Sequence, residues 1–174
     1  VSDGAFPWRD VILALVIVER LATLWYGHRN AKALLAQGGI EAGAGHYPLL
    51  VVVHAAWLGA LILFVPRDAP VDSVMLALLV LLMAGRGWVL VSLGPYWTTR
   101  VITVPGAPLV RRGPYRFLRH PNYLIVAGEI AVLPLVFGAW EIAAIFTGLN
   151  APLLAWRIRV EDRALADRRA AESG

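Results

Sequence analysis

The chain contains no cysteine. Disulfides, thiolate nucleophiles and cysteine-ligated metals are therefore excluded. Charge is also scarce: Asp, Glu, Lys and Arg make up 16% of the 174 residues, against about 25% in a soluble domain. Histidines stand at positions 28, 46, 54 and 120, and none forms the i, i+4 pair of a helical zinc site, so no metal is expected. Internal repeats and low-complexity segments are missing, which argues against an inverted-repeat transporter. No cleavable leader is expected, because the first apolar segment carries Glu19-Arg20 and lacks a small-residue cleavage site.

What remains is apolar. Hydrophobic residues account for 59% of the chain and the mean hydropathy is +0.65. Such values predict an all-α integral membrane protein with one domain. The formal charge of +4 fits cytoplasmic loops that face anionic lipid better than it fits nucleic-acid binding.

A spanning helix needs about 17–25 mostly apolar residues. Segments 8–26, 47–65 and 71–93 qualify. The run from Tyr123 to Trp156 has 34 residues; as one helix it would be about 51 Å long, too long for a hydrocarbon core of about 30 Å. A turn near Gly138 divides it into spans 122–138 and 140–157, which makes about five spans. Arg29 and Lys32, the arginines between 100 and 119, and those from Arg157 to Arg169 all fall on one side. By the positive-inside tendency that side is cytoplasmic, with the N-terminus outside and the C-terminus inside. Segment 94–121 is too polar to span. Its β-branched part, Thr98–Val104, followed by Pro105-Gly106, predicts an extended excursion or hairpin on the cytoplasmic face. Ala33–His46 reads as a frayed interfacial helix and a glycine-rich loop, and 161–174 as a fraying tail.

Glu19, Arg20, His54, Arg86, Glu129 and Asn150 interrupt otherwise apolar helices. Ionisable groups at that depth are costly and mark either a functional site or an internal ion pair between helices.

The stretch from Arg111 to Tyr123 is a basic, aromatic, proline-punctuated collar at the mouth of the fourth span. Pro121 suits the first turn of a helix, which does not need its N–H. His120 then takes the N-cap, and the free N–H groups beyond it suit an anion. Tyr115 and Tyr123 offer flat faces with hydroxyl tips. Composition alone leaves two readings open: a pocket for a carboxylate or phosphate attached to something flat, or an anchor for lipid phosphates. The hairpin returns Arg157-Ile158-Arg159-Val160-Glu161-Asp162 beside this collar, where a carboxylate pair can accept bonds from vicinal hydroxyls.

Arg119-His120-Pro121-Asn122-Tyr123, an apolar hairpin, and then an arginine a few residues before Glu161-Asp162 resemble the C-terminal signature of the isoprenylcysteine carboxyl methyltransferase family. The chain departs from the family pattern in having Glu-Asp where the family has Glu-Glu. Glu19-Arg20-Leu21, Arg29-Asn30 and His46-Tyr47-Pro48 with His54 resemble a bacterial subgroup that methylates alkylpyrone or alkylresorcinol hydroxyls. The resemblance implies a membrane methyltransferase that uses S-adenosylmethionine, with a cytoplasmic cofactor pocket formed by the loop before the fourth helix and the end of the fifth. It implies that Tyr115, Arg119, His120, Pro121 and Tyr123 hold the cofactor. Glu161, with Asp162, would bind its ribose, and Arg157 or Arg159 would face the acceptor. For a phenolic acceptor, His120 or His46 would serve as base. The acceptor implied is a lipophilic hydroxyl or carboxyl compound entering from the bilayer. Methyl transfer to nitrogen or sulfur, and a non-catalytic lipid-binding or scaffold role, are the alternatives.

Overall fold

The computed structural model describes residues 6–166 and residue 168, without the side chain of residue 46. Five α-helices dominate: α1 (Trp8–Ala36), α2 (Tyr47–Phe64), α3 (Ser73–Leu93), α4 (Pro121–Leu135) and α5 (Trp140–Ala164). Two three-residue strands, β1 (Ile40–Ala42) and β2 (Val101–Thr103), lie in the connections that follow α1 and α3. The expected division of the long apolar run into two helices is present. Helices α1, α2 and α3 are long and apolar enough to cross a membrane. Helix α4 is shorter, at 15 residues or about 22 Å.

Local chemistry sets the helix ends. Asp72 caps α3 by accepting from the Val74 and Met75 amides at 2.9 and 3.0 Å. Gly94, at φ 54°, closes α3 in a conformation that side chains resist. Pro121 opens α4 at its first turn, with His120 at the N-cap as expected, although the imidazole makes no capping bond. Gly138, at φ 69°, turns the chain from α4 into α5.

Trp57, Leu61, Ile130, Leu133 and Val136 are fully buried, and Leu13, Val16 and Leu79 pack with them. Leu15, Leu63, Phe64 and Val91 are exposed, which places apolar side chains on the outer faces of α1, α2 and α3. In a bilayer those faces meet lipid.

The structure corrects two expectations and decides a third. Helix α1 does not fray after Ala33; it runs ten residues past Tyr26, because Asn30, Ala31 and Leu34 are buried. Of the two readings of Thr98–Val104, the extended excursion is present and the hairpin with itself is not. Its β-branched stretch pairs antiparallel with β1, Ile40 against Thr103 and Ala42 against Val101. Gly39 permits this, since a Cβ there would sit 2.6 Å from the Leu34 carbonyl oxygen. Helix α5 stays helical through Ala164 because Glu161 and Asp162 are held by side chains of α4 and of the residue before it. Residues 167 and 169–174 of the expected tail lie outside the described residues.

Candidate functional site

The end of α1, the start of α2, the end of α3, the start of α4 and the end of α5 meet at one pole of the bundle. The two-stranded sheet crosses it. A cavity of about 840 Å³ opens there, between the 94–119 connection, the start of α4 and the last turns of α5. That volume lies within the usual range for small-molecule sites, about 300–1,000 Å³.

Helix α1 builds the floor, though no residue of α1 lines the cavity. The Asn30 amide is buried and donates to the Gly94 and Trp97 carbonyls at 3.2 and 2.9 Å. Tyr26 stacks on Trp97 with ring centroids 6.1 Å apart. Gly27 permits the approach, because a Cβ there would lie 2.8 Å from the Trp97 ring. These contacts fix residues 94–99. The Thr99 carbonyl then accepts from an Arg157 Nη at 2.7 Å, and Tyr47 Oη lies 3.2 Å from Thr99 Oγ1. Arg100 caps the same edge, 3.1 Å from Glu41 and over the Tyr47 ring.

Helices α4 and α5 supply the polar inner wall. Arg157 is buried and donates through Nε to the Tyr123 hydroxyl at 3.0 Å. That hydroxyl in turn donates to Glu161 Oε2. The His120 ring stacks on Tyr123 at 5.5 Å, with 19° between the planes. Its Nε2 lies 3.1 Å from Asp162 Oδ1, and its Nδ1 3.6 Å from Glu161 Oε1. His120, at the N-cap, precedes Tyr123 by three positions, and Arg157 precedes Glu161 by four, so each pair lies on one side of its helix. The network forms because the hairpin is antiparallel.

Electrostatics follow from this packing. The Glu161 carboxylate, opposed by burial and joined by Asp162, holds the His120 imidazolium above its usual pKa near 6.5. Burial pushes the Glu161 carboxyl up. The His120 ring, the Tyr123 hydroxyl and the charge of Arg157 more than reverse this, and Glu161 stays below the usual carboxylate value. Burial, with Glu161 nearby, raises the Tyr115 phenol and keeps it neutral.

Most of the residues expected at the site are brought together. Tyr115, Arg119, His120, Tyr123, Arg157 and Glu161 line the cavity. Pro121 is buried behind it as the first residue of α4, and Asp162 reaches it through His120. Of the two arginines left open, Arg157 reaches the wall; Arg159 is exposed and off the lining. The His46 side chain lies outside the described residues. Arg111 is part of the lining, while Arg112 donates to the Ser92 carbonyl at 2.7 Å and braces the collar on α3.

Sequence reasoning missed Thr99, Asn122 and Arg168. Thr99 acts through a carbonyl, which leaves no trace in residue type. Asn122 lines the cavity, and its buried Oδ1 has no hydrogen-bond partner. Arg168 donates to the Ala107 and Pro108 carbonyls, both at 2.8 Å, and ties the last described turn to the cavity loop. Counting 157, 161, 165 and 168 along one helical stripe would have found it.

The intramembrane charges form a separate cluster. Glu129, 2% exposed, accepts from Arg86 and from Arg20, the latter at 2.7 Å. Glu19 lies 3.6 Å from Arg86 and 3.8 Å from Arg20. None of the four lines the cavity. They join α1, α3 and α4, which is the helix-pairing reading of these residues. His54 donates from Nδ1 to the Leu50 carbonyl of its own helix at 2.9 Å.

Comparison with known proteins places this geometry in context. The sequence profile of the isoprenylcysteine carboxyl methyltransferase (ICMT) family matches residues 75–167, which include the 94–119 connection and both helices of the polar wall. An uncharacterized protein of Bacillus subtilis, YpbQ, is 37% identical over 165 residues, covering 90% of this chain and 96% of its own. An uncharacterized protein of Haemophilus influenzae is 26% identical over 162 residues, covering 90% and 94%. No solved structure matches.

Proposed function

This chain belongs to the isoprenylcysteine carboxyl methyltransferase family, and from that premise we propose that it transfers a methyl group from S-adenosylmethionine to an acidic oxygen of a lipophilic acceptor at the membrane. The observation that carries the reading is the coupled wall of Arg157, Tyr123, Glu161 and His120, set against a cavity of suitable size.

The residues fit the cofactor. Glu161 is ionised and uses one oxygen on Tyr123, which leaves acceptor capacity for a diol, since a carboxylate has about four lone-pair sites. The stacked His120 and Tyr123 rings give a flat surface. The orphaned Asn122 Oδ1 is an acceptor without a donor, a cost that a ligand can remove. When bound, the cofactor supplies a methyl group on a good leaving group, so the protein's task is alignment of the acceptor to within about 3 Å. Arg157, fixed from both sides, orients an anionic oxygen. Glu161 and Asp162 raise the pKa of His120 and so stabilise its charged form. An acceptor that arrives ionised, a carboxylate or an acidic enol such as an alkylpyrone hydroxyl, needs no base, whereas a phenol of pKa near 10 does. The cavity pole is cytoplasmic in this reading, with the N-terminus outside, and the acceptor enters laterally from the bilayer.

Calorimetry with S-adenosylmethionine in nanodiscs tests the first half, and absence of binding by folded protein would sink it. Labelled cofactor with alkylpyrone, alkylresorcinol, farnesylcysteine and phosphatidylethanolamine tests the second. Transfer only to the amine would overturn the oxygen assignment.

A further inference from the structure

The collar has two faces. Tyr115, His120 and Tyr123 serve the inner wall, but Phe117 and Leu118 are 75% and 47% exposed. They follow the 3-10 turn Gly113–Arg116 and lie between two exposed arginines, Arg116 and Arg119. The Arg116 guanidinium sits 5.8 Å from the Phe117 ring and has no carboxylate or hydrogen-bond partner among the described residues. No Asp or Glu occurs from Ser73 to Gly128, so the segment contains nothing to neutralise either arginine. The turn stands immediately before α4, at the cavity pole of the bundle.

Exposed apolar tips between guanidiniums match the headgroup boundary, where Phe and Leu enter the acyl layer and arginines meet phosphates. We propose that the Arg116–Arg119 turn is a binding site for an anionic phospholipid, with the two guanidiniums on the phosphate and Phe117 and Leu118 against the acyl chains. The planar fork of each guanidinium suits phosphate oxygens. A zwitterionic headgroup brings its own cation into a region already rich in arginine, so a net negative lipid is selected. Because Arg116, Leu118 and Arg119 also line the cavity, the bound headgroup completes its rim.

Native mass spectrometry of the full chain in detergent, without cofactor, tests this with phosphatidylglycerol and phosphatidylcholine of matched acyl chains. Phosphatidylglycerol should be retained at about thirtyfold lower concentration, from two arginines each contributing on the order of 1 kcal/mol. Arg116→Ala with Arg119→Ala should abolish the preference, while Lys32→Ala keeps it. Both arginines are exposed, so the fold is not at stake. Phe117→Ser should weaken retention with the arginines intact. Equal retention of the two lipids, or a preference that survives the double variant, overturns the site. Displacement by millimolar inorganic phosphate overturns the lipid assignment and marks a free-phosphate site.

Discussion

Arg157 donates to the Tyr123 hydroxyl at 3.0 Å and to the Thr99 carbonyl at 2.7 Å, so one guanidinium joins α5, α4 and the connection after α3. A lysine keeps the charge but lacks the fork. Arg157→Lys should lower the melting temperature, losing about 1.5–3 kcal/mol of charged hydrogen bonding, and weaken cofactor binding at least tenfold. Thermal unfolding and calorimetry on the same sample check both; unchanged affinity would remove Arg157 from the site.

Asn30 is off the cavity lining and holds the Gly94 and Trp97 carbonyls, the second of a residue that lines the cavity. Asn30→Asp places an acceptor against two carbonyls and should destabilise by about 1–3 kcal/mol. It should also weaken cofactor binding, although α1 does not line the cavity. Lys32→Ala, an exposed change on the same helix, should alter neither. If Asn30→Asp binds the cofactor normally, the floor does not position the wall.

The His120–Glu161 pair makes stability depend on pH in two directions. The pKa of His120 is raised, so its contribution is complete below the unfolded value near 6.5 and is lost as pH rises through the higher folded value. The Glu161 value is lowered, so its contribution is present above the unfolded value near 4.5 and is lost as pH falls through the folded one. Proton NMR should find the His120 midpoint above 6.5, and Glu161→Gln should bring it down. A wild-type midpoint at or below 6.5 would contradict the pairing.

Glu129 is shared by two arginines. Glu129→Gln leaves buried guanidiniums short of countercharge and should cost about 3–5 kcal/mol, read as a large fall in melting temperature in nanodiscs. In the separation argued above, any folded fraction should still bind the cofactor. Loss of binding without loss of stability would instead tie the cluster to the site.

Much of this was legible in the sequence because it rests on residue type and period. Run lengths gave the helices, Pro121 gave the start of α4, and the apolar hairpin with its central glycine implied that Glu161 returns to His120. The choice between Arg157 and Arg159 was not legible. It depends on which side of α5 faces Tyr123, and two residues of offset turn a side chain through more than half a helical turn. The partner of β2 was hidden too, because three β-branched residues declare a strand without saying which distant segment it pairs with. Nor does a motif disclose that Asn30 or a backbone carbonyl at Thr99 fixes its arginine.

The pairing of β1 with β2 has a consequence for how the protein is made. The two strands are separated by the whole of α2 and α3. During synthesis β1 is finished early and must wait, with its edge unpaired, until both intervening helices have been threaded into the bilayer and the chain has returned to the same side. A nascent chain arrested within α3 therefore carries an open strand edge, available to quality-control proteases or to a neighbouring chain, and the edge closes only once the residues after α3 have been made.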